Sequence, residues 1–411
     1  MSVEAWMLAW VDERESELVE FTRSLIATPS VNPPGDERAI GLVVRDRLEA
    51  LGVSKVEELA PEESRPSLLA HLPGAGSGPT LMLCGHLDTK PPGDLDAWNT
   101  GPWDPVIRDG ELYGLGSGDM KAAVAAMIYA GGALAAAGLL AGTLTLALVA
   151  DEESGSAKGA RWLAEAGHLH ADAAVIGEPC GVLREWEAID LISRGAMLFK
   201  VRVRGTQTHS SISDRLPCVN ATVAMGRLAD RMHRELKGWL RCPPHPLGGA
   251  GPTVNVGVMA KAGIFYGMYP GEAELACDIR TLPGMTRESV EEDLRAFLGR
   301  AMRDDPELDA ELIVELFVPA TEIAADHPVV RALQSAAGTV LGEAPELAAF
   351  PGATDAYALQ ALAGIPTVAA FGPGFLPRAH TPNESVRAGS ILEAAKMYAL
   401  AAWRYLSEEG S

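Results

Sequence analysis

The sequence predicts an α/β protein, with a mostly parallel sheet covered by helices on both faces and interrupted by a second, α+β unit. Three observations predict it. Apolar strand-like runs recur at residues 67–71, 80–84, 143–149, 173–176 and 366–371, with helix-like stretches between them, and that alternation builds a sheet sheltered on two sides. Between 192 and 318 the pattern changes. Strands at 195–204, 253–259, 272–280 and 310–317 and helices at 219–236 and 287–302 follow the order β-α-β-β-α-β, that of a ferredoxin-like unit. Finally, 411 residues, 47% hydrophobic and 22% charged, describe an ordinary globular chain of two or three domains. The expected division is a catalytic domain at 1–191 and 319–411, with a lid or dimerisation domain at 192–318.

The first element, residues 7–27, reads as one amphipathic helix with Leu8, Val11, Leu18, Phe21 and Leu25 inward. The stretch 122–150 carries no charge and is long enough for a membrane span. Gly131, Gly132, Gly138 and Gly142 interrupt it, however. Its Ala-rich first half favours helix, and Thr143 to Val149 reads as a buried strand. A helix followed by a returning strand is therefore expected, and no membrane partner.

Charge and cysteine usage narrow the function. With 34 Lys and Arg against 55 Asp and Glu, the net charge is −21. Such a polyanion repels nucleic acid and acidic lipid, which excludes both as partners. The five cysteines, Cys84, Cys180, Cys218, Cys242 and Cys277, form no CxxC pair, so neither a disulfide scaffold nor a thiolate zinc site is expected. The acidic residues 1–20 lack the basic start of a signal peptide. A cytoplasmic protein is the expectation.

Chemistry-bearing residues follow the predicted strands. His86 and Asp88 follow the second, Asp151, Glu152 and Glu153 the third, Glu178 the fourth, and His380 lies on a loop beyond the last. In open α/β sheets ligands bind beyond the carboxyl ends of the strands, so these residues share one edge. Asp119, in Gly114-Leu-Gly-Ser-Gly-Asp119, joins them by geometry. A helix of about 17 residues runs away by roughly 25 Å, and a strand of about eight residues returns by roughly 26 Å. The stretch lacks the GK[ST] of a phosphate loop. Two imidazoles and three or more carboxylates suit zinc and neighbouring metals. They are too many for one tetrahedral ion with an open position and suit two ions sharing a carboxylate and a water. Of the neighbours Glu152 and Glu153, one can bind metal while the other faces the water.

The motifs Gly85-His86-Leu87-Asp88, Gly118-Asp119-Met120-Lys121, Asp151-Glu152-Glu153-Ser154-Gly155, Gly177-Glu178-Pro179 and Ala379-His380-Thr381-Pro382-Asn383-Glu384 carry a resemblance. In order and spacing the chain resembles the co-catalytic zinc metallopeptidase family of acetylornithine deacetylase, succinyl-diaminopimelate desuccinylase, aminoacylase and glutamate carboxypeptidase. The resemblance implies two divalent ions per chain, zinc first and Co²⁺ or Mn²⁺ as alternatives. Asp119 would bridge them, with His86 and Glu178 completing one site and Glu153 and His380 the other. Asp88 would hold the His86 ring, and Glu152 would be general base and then acid. His209 would steady the oxyanion, in many relatives from the partner subunit, which implies a homodimer. Arg280 would hold a substrate carboxylate, and Thr354 lies in the substrate-binding loop.

The chain departs from the family pattern at Thr89-Lys90, at Leu115, at Phe265-Tyr-Gly-Met-Tyr-Pro270 and at Pro351-Gly-Ala-Thr354-Asp355. None of these removes a ligand or the base, and all lie where substrates are distinguished. The implied activity is hydrolysis of the amide of an N-acyl amino acid or peptide-like small molecule. A dipeptidase or carboxypeptidase is the runner-up. A non-catalytic metal-binding protein is the competing class, and retention of Glu152 and every ligand argues against it.

Overall fold

The computed structural model describes residues 1–138 and 140–407. The chain forms two compact units. One comprises Met1–Ser193, Glu322–Phe350 and Thr354–Ser411, and the other Arg194–Thr321 with Pro351–Ala353.

The first unit is built on a six-stranded sheet. Its order is Lys55–Leu59, Ser67–Leu72, Thr143–Val149, Thr80–His86, Ala173–Ile176 and Thr367–Val368. The last four run parallel to one another, and Ser67–Leu72 runs antiparallel to both of its neighbours. The central strands are mainly apolar and buried because both faces are covered, whereas the edge strand Lys55–Leu59 exposes Lys55, Glu57 and Glu58. Met82, Cys84, Ala147 and Val149 turn towards a core shared with Leu163, Leu359 and Ile365. Helices Ala122–Ala137 and Ala388–Ser407 cover the opposite face. The uncharged stretch is thus a helix followed by the strand Thr143–Val149, as its glycines and composition imply. By length and composition alone, Ser117–Ala137 is apolar enough to cross a membrane, but 83% of its most apolar window is buried inside the protein.

Two expectations are corrected here. Residues 7–27 form two helices, Val3–Asp12 and Glu15–Ile26, and Met7 rather than Leu8 is buried. The break falls at Arg14, where φ is −111° and ψ 14°. It sits among Asp12, Glu13, Glu15 and Glu17, whose like charges one turn apart oppose a continuous helix. The strand expected at 366–371 is only Thr367–Val368. Beyond it, the Ala369 and Ala370 amides donate to the Asp190 carbonyl and the chain leaves the main sheet.

Asp190 itself lies in the strand Ala188–Ser193 and is 4% exposed. Burial, reinforced by Glu187, pushes its carboxyl up to about 7. A folded-state value above the unfolded one means that folding is most favoured below about pH 4, where the group is neutral in both states. That advantage is lost as pH rises to about 7. Three pH units correspond to about 4 kcal/mol. Asp190→Asn is therefore expected to match the wild type in thermal unfolding at pH 4 and to exceed it at pH 8. The difference between the two proteins at each pH cancels every other titrating group. A difference that does not change with pH would refute the assignment.

The second unit is a four-stranded antiparallel sheet in the order Thr253–Ala262, Glu272–Thr281, Gly195–Arg204 and Asp309–Val318. Phe199, Val201, Leu275 and Ile279 face helices Ala221–Trp239 and Arg287–Asp304 through Leu228, Met232 and Phe297. The alternate residues Lys200 and Arg202 pair with Glu274, Glu311 and Glu315 on the other face. The period of two follows from this single covered face. Asn220 caps the first helix by accepting from the Val223 amide at 3.1 Å, and a Thr286/Ser289 capping box opens the second.

Candidate metal centre

Parallel pairing sets His86 beside Val149 and Cys84 beside Ile176. The residues that follow these strands therefore emerge together. His86 ends its own strand. Asp151, in the left-handed conformation at φ 65°, turns the chain into a short 3-10 turn carrying Glu152 and Glu153, and Glu178 follows Ile176. Asp119 arrives on the loop before the helix Ala122–Ala137. That loop is anchored by the buried Lys121, whose Nζ donates to the carbonyls of Leu25 and Thr28 at 2.9 Å each. These carbonyls lie at the C-terminal end of Glu15–Ile26, where a helix favours a cation.

Asp119 stands between two histidines. Its Oδ1 is 3.0 Å from His86 Nε2 and its Oδ2 is 3.2 Å from His380 Nε2. His86 Nε2 is also 3.6 Å from Glu178 Oε1, and His380 Nε2 is 3.1 Å from Glu153 Oε1. The ligand atoms of His86, Glu152 and Glu178 lie within 4.8 Å of one another, as do those of His86, Asp119 and Glu153. Glu152 and Glu153 diverge, the first towards His86 and Glu178, the second towards His380 and Lys90.

The electrostatics fit cations at this place. Burial, and then the charge of Asp119, push Glu178 well above the usual carboxylate range. Burial does the same to Glu152, opposed by His86 and reinforced by Asp355, Glu153 and Asp119. Burial also works to raise Asp119, but the hydrogen bonds from His380 and His86 outweigh it and hold it well below the usual value. His380 is drawn up to about 10 by Asp119 and Glu153. Among the described residues, Lys90 is the one Lys or Arg ion-paired with these carboxylates, its Nζ 3.2 Å from Glu153 Oε2. Closely packed carboxylates with so little positive charge are a donor set that divalent ions satisfy.

The residues behind the cluster differ in part from expectation. Asp88 steadies the His86 ring through its backbone carbonyl, 3.0 Å from Nδ1, while its carboxylate oxygen stands off at 3.6 Å. That carboxylate accepts instead from the amides of Glu152 and Glu153, at 3.1 Å each, and from Asn32 Nδ2 at 2.8 Å. It therefore holds the turn that carries both glutamates as well as lying beside the ring. Asn32 also donates to Asp151 Oδ1 at 3.0 Å, and the buried Arg65 guanidinium pairs with Asp151 and, at 3.2 Å, with Glu37. Gly35 is needed for this path, because a Cβ there would meet Arg65 Nη1 at 1.0 Å. Asp355 accepts from Ser156 Oγ beside Glu152. Asn32, Arg65 and Asp355 carried no signal beyond their position near a strand end or turn.

Three expected residues stand apart from these contacts. Thr354, buried in the first unit, donates its amide to Ser193 Oγ at 3.0 Å and accepts from the Ala356 amide at 3.2 Å, which opens the following helical turn. His209 and Arg280 belong to the second unit. His209 is exposed, with Nδ1 2.8 Å from Ser211 Oγ, and Arg280 pairs with Asp278 at 3.0 Å.

Comparison with known proteins bears on this centre. The chain is 32% identical to the succinyl-diaminopimelate desuccinylase of Xanthomonas euvesicatoria pv. vesicatoria (strain 85-10) over 295 residues, 70% of this chain and 74% of that protein. It is 32% identical to the acetylornithine deacetylase of Proteus mirabilis (strain HI4320) over 383 residues, 90% and 91% of the two chains. The solved di-peptidase Dug1p of Saccharomyces cerevisiae shares the fold with a TM-score of 0.77 at 16% identity, over the whole of both chains. The model of peptidase family M20/M25/M40 matches residues 82–404, a span that holds every member of the cluster, and the chain belongs to that family of hydrolases acting on amide bonds.

Proposed function

We propose that this protein is a zinc-dependent N-deacylase of small N-acyl amino acids. The observation that carries the reading is Asp119 set between His86 and His380, with one carboxylate oxygen towards each. Asp119, His86 and Glu178 would hold one ion, and Asp119, Glu153 and His380 the other. When bound, the ions polarise a carbonyl and make a water acidic near neutral pH. Glu152 takes the proton from the attacking water and returns it to the leaving nitrogen, so that water and amide become a carboxylate and an amine. Glu152, part-buried beside His86 and Glu178, is placed for both halves of that transfer. His209 steadies the oxyanion, and Arg280 and Thr354 hold the substrate carboxylate. The second unit serves as lid and dimerisation domain at 192–318, with the catalytic domain at 1–191 and 319–411. The active form is a cytoplasmic homodimer.

The deacylase reading is favoured over a dipeptidase or carboxypeptidase by the two relatives at 32% identity, whose names are those of a desuccinylase and a deacetylase. The dipeptidase likeness, at 16% identity, concerns the fold. The test uses protein stripped by a chelator and reloaded with Zn²⁺, Co²⁺ or Mn²⁺. N-acetyl and N-succinyl amino acids are assayed beside dipeptides. Stripping is expected to abolish activity, reloading to restore it, and the acyl amino acids to give the larger kcat/KM. Faster turnover of dipeptides would establish the peptidase reading. Undiminished activity of the stripped protein would refute metal dependence.

A further inference from the structure

Glu384 is a buried acid with no role in the reaction above. Its side chain is 1% exposed. Its Oε1 accepts from the amides of Gly118 at 2.8 Å and Asp119 at 3.0 Å, and its Oε2 accepts from the Gly116 amide at 3.0 Å. Its backbone carbonyl accepts from the Gly114 amide at 3.0 Å. No Lys or Arg among the described residues pairs with the carboxylate; the nearby Lys121 donates to the carbonyls of Leu25 and Thr28 instead. The Glu384 carboxyl is thus held wholly by converging backbone N–H groups. Gly116, at φ 77°, makes the tight loop feasible, and a Cβ there would meet Thr89 Cγ2 at 2.5 Å.

Two residues that would hold metal lie at the ends of this connection. Asp119 donates its own amide to Glu384, and His380 lies four residues before Glu384 on the same segment. The segment is registered on both sides. Asn383 accepts from the Asn99 amide at 2.7 Å and donates to the Ala97 carbonyl at 2.9 Å, and Ser385–Arg387 pairs with Glu111–Tyr113. Of these ties, only the Glu384 carboxylate grips the amide of Asp119 itself.

We propose that Glu384 is a positioning residue that locks the loop of Asp119 to the segment of His380, so that one buried carboxylate sets both metal positions. The inference rests on the two-ion reading given above. It requires that loss of Glu384 weaken both ions together. A residue that merely stabilised the His380 segment would weaken one ion or neither.

The experiment measures Zn²⁺ binding in a chelator-buffered titration, with ions per chain counted by elemental analysis, for the full-length protein and three variants. Glu384→Gln keeps the volume and one acceptor oxygen but sets an amide NH₂ against the Gly116 N–H. Glu384→Ala removes all three bonds. Asn383→Gly cuts the neighbouring tie while tolerating the positive φ of 62° at that position. Both Glu384 variants are expected to lose about 10- to 100-fold in affinity at both sites, the usual scale for partners that orient ligands. Saturating Zn²⁺ should restore kcat in Glu384→Gln with KM unchanged, and Asn383→Gly should keep both affinities near wild type. Wild-type affinities in a folded Glu384→Gln, a loss confined to one ion, or failure of both Glu384 variants to fold would each overturn the proposal. Fewer than two ions in the wild type would refute the underlying two-ion reading instead, and that is seen before any variant is made.

Discussion

Glu152→Gln is expected to lower kcat by about 10²-fold or more, the loss that accompanies removal of a general acid–base, while metal content stays at the wild-type level. Glutamine preserves the size and polarity of a part-buried side chain and removes only its capacity to take and return a proton. Glu153→Gln is expected to behave differently. Glu153 lies 3.1 Å from His380, within the proposed second ion site, so its neutralisation should release one ion and lower activity in a way that added metal partly restores. Elemental analysis beside steady-state kinetics checks both variants. The geometry makes the comparison demanding, because Glu152 also lies close enough to His86 and Glu178 to share an ion with them. Metal lost from Glu152→Gln and kept in Glu153→Gln would exchange the two roles.

Arg65→Met is expected to destabilise the protein by about 3–5 kcal/mol, the cost of stranding buried charge when one partner of an ion pair is removed. The guanidinium is 2% exposed and pairs with Asp151 and Glu37, both buried. Methionine fills much of the volume but leaves two acids unpaired. Glu37 is already pushed up to about 8 by burial, with Asp88 and Asp151 adding to the shift against Arg65, so at neutral pH it can take a proton. Asp151 is the other acid that Arg65 holds. It is committed to Asn32 and to the Lys158 amide at 2.8 Å, and it sets the turn that bears Glu152 and Glu153. Arg65→Met combined with Asp151→Asn should therefore recover part of the loss, and the coupling between the two substitutions measures the pair directly. Urea unfolding of the four proteins gives the cycle. Strict additivity would mean that the pair contributes nothing beyond its separate contacts.

The members of the cluster were legible because metal chemistry restricts which residues could serve and strand ends restrict where they occur. His86, Glu152, Glu153 and Glu178 follow short apolar runs, and Asp119 precedes a helix long enough for the next strand to return to its edge. The supporting groups were not legible in this way. Nothing in the local sequence around Arg65, Glu37, Asn32 or Asp355 marks them as partners of the cluster. Each acts on a group far from it in sequence.

The amino-acid sequence by itself determined the fold class and the types of group available for metal. Periodicity, composition and ligand chemistry are local properties, written into short stretches of chain. Only the tertiary structure decided where residues 7–27 break, how Ala369 and Ala370 leave the sheet, and that Asp88 holds the glutamate turn as well as the histidine. It alone showed Arg65 threaded over Gly35 and Glu384 enclosed by the Asp119 loop. These depend on which buried polar groups meet, and a buried charge takes whatever partner the packing brings to it.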